Sequence, residues 1–201
     1  MSRKEKLALQ LFKAGCLKFG NFLLKSGVKS PVYIDLRTLV SYPKVLKLVA
    51  KAYASILKKL KFDRLAAVPY AALPLAGAVS LEMNKPWIYT RKEPKDHGIQ
   101  KPVEGIFKKG ERIVVIDDMV TSGLSKFEII KALKSLGLKI KDIVVLFDRK
   151  QGAKENLRKR GYRLHAVMNF SQWLKILNQK KKLSCKKYEE TLDFIKRTQI
   201  K

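Results

Sequence analysis

Apolar residues along this chain alternate between short runs and helical stripes. The runs Arg64–Val68, Pro86–Thr90, Ile113–Ile116, Lys139–Phe147 and Tyr162–Asn169 have the length and continuity of strands buried on both faces. Between them apolar residues recur three or four positions apart. Val45, Leu48, Val49, Ala52 and Ile56 form one stripe, Phe127, Ile130, Leu133 and Leu136 another, and Trp173, Ile176 and Leu177 a third. Residues 2–18 carry a similar pattern, with Leu7, Leu11 and Phe12, that ends near Gly15 or Gly20. Two further strand patterns, Phe19–Leu24 and Pro31–Leu36, flank the turn signal Lys25-Ser26-Gly27. Strands alternating with helices predict an α/β fold, a mainly parallel twisted sheet flanked by helices. Functional groups then belong at the carboxyl ends of the strands. Residues 1–178 read as one domain, and 179–201 as a basic, helical C-terminal tail with Leu192 and Ile195 on its apolar side.

One strand end stands out. Ile113–Ile116 runs directly into Asp117 and Asp118, then Thr121-Ser122-Gly123-Leu124-Ser125, then the helical stripe beginning at Phe127. A doubly buried strand should not end in two carboxylates unless that end opens into a polar site. The N–H groups of a tight turn entering a helix, beside Thr and Ser hydroxyls, suit a phosphate dianion. Gly123 allows close backbone approach, and paired carboxylates suit the hydroxyls of a ribose. No Gly-x-x-x-x-Gly-Lys-Ser/Thr P-loop is present. The plain alternative is a solvated acidic strand end before an ordinary helix.

Composition narrows the class. At 201 residues and 46% hydrophobic content the chain can bury one ample core. No apolar run reaches transmembrane length, and the basic start Met-Ser-Arg-Lys-Glu-Lys is a poor secretory signal. Cys16 and Cys185 lie far apart without metal-ligand spacing, which fits a reducing cytoplasm. The net charge of +27 raises nucleic acid as a partner. The lysines, however, are spread over helical faces, and only Lys180-Lys181-Lys182 forms a compact run. A field of this sign also attracts small polyanionic substrates, and neither a membrane nor nucleic acid is the expected partner.

Val115-Ile116-Asp117-Asp118-Met119-Val120-Thr121-Ser122-Gly123 resembles the phosphoribosyl-pyrophosphate (PRPP) signature of type I phosphoribosyltransferases. Three other segments resemble the orotate phosphoribosyltransferases within that family. Leu24-Lys25-Ser26-Gly27, followed by Ser30-Pro31-Val32-Tyr33-Ile34, is similar to their hood over the base. By this resemblance Lys25 contacts PRPP, while Tyr33 and Ile34 offer ring and backbone contacts to orotate. Pro69-Tyr70-Ala71-Ala72-Leu73-Pro74 resembles their pyrophosphate loop, in the variant found in the transferase domain of bifunctional UMP synthase. Here Ala71 stands where a lysine is usual, so Tyr70 and backbone groups carry that contact. Arg91-Lys92-Glu93-Pro94-Lys95-Asp96-His97-Gly98, with Glu104-Gly105 later, resembles their catalytic loop. A long, polar loop carrying cations suits the departure of pyrophosphate.

The resemblance implies catalytic roles for Arg91, Lys92, Lys95 and His97, with Lys95 foremost. It implies PRPP binding by Asp117, Asp118 and Thr121 to Ser125 (Thr121, Ser122, Gly123, Leu124, Ser125), and orotate binding by Tyr33, Ile34, Thr121 and Arg149. Without it, Asp148-Arg149 reads as a local ion pair, and His165 as structural. The implied fold places a small hood, mainly residues 1–40, over the sheet. The implied reaction converts orotate and PRPP to orotidine 5′-monophosphate and pyrophosphate, in pyrimidine biosynthesis. Mg²⁺ is the implied cofactor, held mainly by substrate and water because no protein metal cage is visible. A homodimer sharing the catalytic loop between subunits is also implied. The decarboxylase that follows this domain in bifunctional UMP synthase has no room here, which leaves a separate decarboxylase as a partner. Two rivals share the central motif: a purine phosphoribosyltransferase, which has no use for the hood sequence, and a PRPP-sensing nucleic-acid-binding regulator, which has no use for the catalytic loop.

Overall fold

The computed structural model describes residues 1–23, 27–91 and 103–198. The chain opens with helix α1 (Arg3–Lys13), strands β1 (Leu17–Leu23) and β2 (Lys29–Ile34), and a 3-10 turn over Leu36–Ser41. Helix α2 (Pro43–Leu57), strand β3 (Arg64–Ala67), helix α3 (Ala72–Met83) and strands β4 (Trp87–Thr90) and β5 (Val103–Glu104) follow. The second half is β6 (Arg112–Val120), α4 (Ser125–Ser135), β7 (Lys139–Asp148), α5 (Ala153–Lys159), β8 (Arg163–Asn169), α6 (Phe170–Gln179) and α7 (Cys185–Arg197).

Six strands make the main sheet in the order β5-β4-β3-β6-β7-β8. Every pairing is parallel except β4 with β5. The mainly parallel sheet read from the alternation is therefore the one found. Ile113 to Ile116 and Ile143 to Phe147 are buried because neighbouring strands and helices cover both edges and both faces. β1 and β2 form a separate antiparallel pair, the expected small N-terminal sheet. The short β5 and the 3-10 turn have no counterpart in the hydrophobic pattern, each being too short to show a period.

Strand order reverses between β3 and β6: the chain moves outward to β4 from one and to β7 from the other. Such a switch point opens a crevice at the carboxyl ends of the strands. β6 also departs from its sequence-based limit. It does not stop at Ile116 but runs to Val120, because β7 extends alongside it and pairs with Asp117, Met119 and Val120. β3 ends earlier: Ala67 pairs with Ile116, and the Val68 N–H to Ile116 carbonyl bond of 3.0 Å is the last between the two chains. From Asp117 onward β6 thus has a neighbour on one edge and open space on the other. The acidic pair sits in that space.

Helix α7, near the C-terminus, is packed against the body of the fold. α7 buries Thr191, Phe194 and Ile195, and the Thr198 carbonyl accepts a 3.1 Å bond from Gln151 Nε2. The Lys187 ammonium lies 5.2 Å from the centre of the Phe19 ring, on β1. On the other side, buried Trp173 of α6 stacks on Phe147 at 4.6 Å and donates to the Ala8 carbonyl at 2.9 Å, which ties α6 and α1 to the sheet.

Candidate active site

A cavity of about 460 Å³ occupies the switch point. Val68, Pro69, Tyr70 and Ala71 bring the turn after β3 to it. Thr90 and Arg91 come from the end of β4, and Asp117, Asp118 and Met119 from β6. Thr121, Ser125, Lys126 and Glu128 close it from the turn and first part of α4. Four segments separated by up to 60 positions meet in a volume suited to a small ligand. The Pro69–Tyr70 bond is cis, and Tyr70 is exposed.

The two carboxylates are not equivalent. Asp117 is buried; its carboxylate forms an ion pair with the Lys126 ammonium and accepts the Asp118 N–H at 2.9 Å. The hydroxyl of buried Tyr53, on α2, donates to the Asp117 carbonyl at 2.6 Å and anchors the strand from beneath. Burial, then the charges of Asp118 and Asp117, push that phenol well above its usual range. Asp118 accepts the Met119 N–H at 2.7 Å, and among the described residues no cation is paired with it. Its carboxyl is raised from 3.8 to about 7, chiefly by burial and then by the neighbouring Asp117 charge, against the opposing pull of Lys126. Burial and the Asp117 charge thus favour its protonated form, and a ligand that donates to its oxygens competes with that proton.

Beyond β6 the turn presents backbone donors. The N–H groups of Thr121, Ser122, Gly123 and Ser125 meet no acceptor among the described residues. Leu124, at the helix N-cap, offers no side-chain cap. Unfilled donors at a helix N-terminus attract an anion. Asn156 Nδ2 donates to the Ser122 carbonyl at 2.9 Å and pins the turn to α5. Gly123 has φ +79°, and a Cβ there would lie 3.3 Å from Leu157 Cγ. The left-handed turn favours glycine, and a side chain there would also press on Leu157 of α5, a second reason that the expectation of anion approach alone missed.

The structure places the remaining sequence-predicted residues as follows. Tyr70, Ala71, Arg91, Asp117, Asp118, Thr121 and Ser125 converge on the cavity. Arg91 is tied to Glu104 at 2.7 Å across β4 and β5. Ser122, Gly123 and Leu124 shape the turn without lining the cavity. Tyr33 packs against Phe22 at 5.4 Å and receives a 3.1 Å bond from Arg37 Nη2, whereas the Ile34 side chain belongs to the core. Arg149 follows β7 directly, its N–H bonded to the Val120 carbonyl at 3.0 Å. Its guanidinium is partly buried and no described carboxylate pairs with it; burial holds it below its usual basicity. The Asp148–Arg149 ion pair is not formed, because Asp148 turns to accept the Lys150 N–H at 2.8 Å. His165 bonds Asp142 at 2.8 Å, in keeping with a structural role. Lys25, Lys92, Lys95 and His97 lie outside the described residues.

Sequence reading missed four contributors. Thr90 could have been suspected as a polar residue closing an apolar strand. Met119 looks like core although it adjoins the acidic pair in sequence; Tyr53 also looks like core and Lys126 like one more surface lysine, and only folding brings those two to the pair. Among the described residues no cluster of three metal-ligating side chains occurs, and no helix is long and apolar enough to cross a membrane. Asp117 and Asp118, one already paired with an ammonium, fit a Mg²⁺ ion carried in by substrate oxygens better than a resident cage.

Residues 36–165 match the phosphoribosyl transferase domain family model. A Nostoc sp. protein named bifunctional enzyme PyrF/PyrE is 47% identical over 173 residues, covering 86% of this chain and 36% of that protein. The orotate phosphoribosyltransferase of Pyrococcus abyssi is 40% identical over 167 residues, 82% of this chain and 92% of the relative. Among solved structures, Leishmania donovani UMP synthase aligns with a TM-score of 0.90 at 46% identity, covering 96% of this chain and 42% of that one. The chain thus spans about two fifths of the length of the bifunctional relatives, and nearly all of the archaeal one.

Proposed function

This chain belongs to the phosphoribosyltransferase family, and from that premise we propose that it is an orotate phosphoribosyltransferase making orotidine 5′-monophosphate and pyrophosphate from orotate and PRPP. The observation that carries the reading is the convergence, at one switch point, of an acidic pair, a turn of unfilled N–H donors and the turn after β3.

The turn from Thr121 to Ser125 receives the 5-phosphate, and the acidic pair accepts the ribose hydroxyls. Pyrophosphate then lies toward Tyr70 and Ala71, where the backbone supplies donors, and the cationic side chains of 92–102 are proposed to serve the same group. Bound Mg²⁺, held by the substrate's own oxygens, supplies charge neutralisation. Orotate is oriented from the β7 side by the fork of Arg149, with Tyr33 and Lys25 of the hood above. N1 of orotate forms its bond to C1 of the ribose as the bond to pyrophosphate breaks. The protein's part is to hold the two reactants and stabilise the departing charge. His97 serves as a donor to a phosphate oxygen rather than as an obligatory general acid.

Arg149, a partly buried guanidinium without a described carboxylate, is the natural seat of the orotate carboxylate. Arg149→Lys is expected to raise the orotate KM by about tenfold or more, the cost of losing one charge-assisted bond, with PRPP affinity unchanged; steady-state kinetics checks both.

A homodimer sharing the 92–102 loop between sites belongs to the same proposal. The exposed apolar side chains of Leu81 on α3 and Ile106 just beyond β5 are open to such a partner and support it. A reducing, cytoplasmic setting is supported by the free thiols of Cys16 and Cys185. A decarboxylase, on the same polypeptide or another, is the proposed consumer of the product.

The test is direct: purified protein with PRPP and Mg²⁺ should consume orotate, read by its absorbance, and release pyrophosphate, while hypoxanthine and uracil stay unchanged. Consumption of hypoxanthine instead would move the reading to a purine enzyme. PRPP binding without turnover, joined to nucleic-acid affinity that survives physiological salt, would move it to a regulator.

A further inference from the structure

Lys126 is buried where a lysine is costly. It is the second residue of α4, and the positive end of a helix disfavours a cation there. Burial adds a desolvation penalty. A side chain this long could reach solvent, yet it turns inward. Its ammonium pairs with the Asp117 carboxylate, has Ser125 Oγ 3.4 Å away, and lines the cavity beside Asp118.

The pairing divides the labour of the two carboxylates. Asp117 is engaged by Lys126 and by the Asp118 N–H. Asp118 accepts the Met119 N–H, and no described cation is paired with it. Two bare carboxylates would repel a substrate that carries several phosphate charges; one ammonium between helix and strand removes about half of that repulsion.

We propose that Lys126 is a positioning residue of the sugar-phosphate site: it clamps Asp117 as a structural carboxylate, leaves Asp118 to take the ribose hydroxyls, and offsets the negative charge facing the incoming phosphates. The proposal rests on the PRPP reading above and deepens it. The titratable and charged groups around Asp118 are Asp117 on its own strand, Lys126 from α4 and Tyr53 from α2, with Glu128 of α4, Arg91 beyond β4 and Tyr70 from the turn after β3 lining the same cavity. Of these, Lys126 is the cation that draws the Asp118 carboxyl down.

The experiment is calorimetric titration of PRPP and Mg²⁺ into wild type, Lys126→Met, Lys126→Arg and the double variant Asp117→Asn with Lys126→Met, from about pH 6 to about pH 8.5. Lys126→Met should weaken PRPP about tenfold at neutral pH and move the midpoint of the affinity profile upward by about one pH unit. Lys126→Arg should restore the wild-type midpoint. The double variant removes both charges of the clamp together, so it folds even where the single one does not. It should bind PRPP more tightly than Lys126→Met, or, where Lys126→Met does not fold, within about tenfold of wild type. A merely structural lysine would lower the thermal midpoint and leave the pH profile unmoved, which overturns the proposal. So does a double variant that binds no better than Lys126→Met, or that loses more than about a hundredfold where the single variant does not fold. Wild-type protein that binds no PRPP overturns the functional reading first and this proposal with it.

Discussion

Asp118→Asn is expected to weaken PRPP binding by about 100-fold while the fold persists. An ionised carboxylate that accepts two ribose hydroxyls makes charge-assisted bonds, and exchanging it for an amide costs on the order of 3 kcal/mol. Asp117→Asn should cost less, because its carboxylate is already engaged by Lys126 and a backbone N–H. Calorimetry with PRPP and Mg²⁺ measures both, and unchanged affinity in the double Asn variant would remove the pair from the site. The pH dependence follows from the raised Asp118 carboxyl. Its value moves from 3.8 to about 7 on folding, so the native state binds the extra proton between those limits. This group's contribution to stability therefore falls as pH rises from about 4 through about 7. Asp118→Asn escapes that loss, and its thermal midpoint relative to wild type should be higher at about pH 8 than at about pH 5. PRPP affinity runs the other way. It should drop as pH falls below about 7, where the proton occupies an oxygen that the ribose needs, and that component should be absent from Asp118→Asn.

Lys95→Ala should lower turnover by about 10²–10³-fold, the usual cost of one lost donor to developing charge, with little effect on orotate affinity. The cations already in place leave the departing charge unmet. The two basic side chains among the described residues that line the cavity are both neutralised: Arg91 by Glu104, and Lys126 by Asp117. The turn after β3 carries Ala71, which has no charge to give. Charge building on the departing pyrophosphate must then be met from elsewhere in the chain, and 92–102 is the polar segment joined directly to Arg91. Rapid-quench measurement of the chemical step separates this from slow product release; equal rates in the variant would end the assignment. Arg91→Ala should have the smaller effect on chemistry, since its guanidinium serves first as a tie between β4 and β5.

The parts of this protein that were legible in its residue order are those whose cause is local. Continuous apolar runs such as Ile143 to Phe147 can only be strands covered on both faces, and stripes such as Val45, Val49 and Ala52 can only be one-sided helices. The order of those elements implies the parallel sheet, and Thr121-Ser122-Gly123 before a helical stripe implies an anion-binding turn. Charge and composition, by contrast, leave the partner class open, and the motifs narrow it. What required the folded chain depends on residues far apart in sequence. β6 outruns β3 because β7 supports its far edge, and that mismatch, not the acidic pair itself, creates the open space into which Asp117 and Asp118 project. α7 is part of the body because Phe194, Ile195 and Thr191 find burial against elements laid down far earlier in the chain. Lys126 looks like one of 44 basic residues until α4 turns it onto Asp117. The two aspartates are identical as letters, and they become different groups only because one has an ammonium at contact and the other does not.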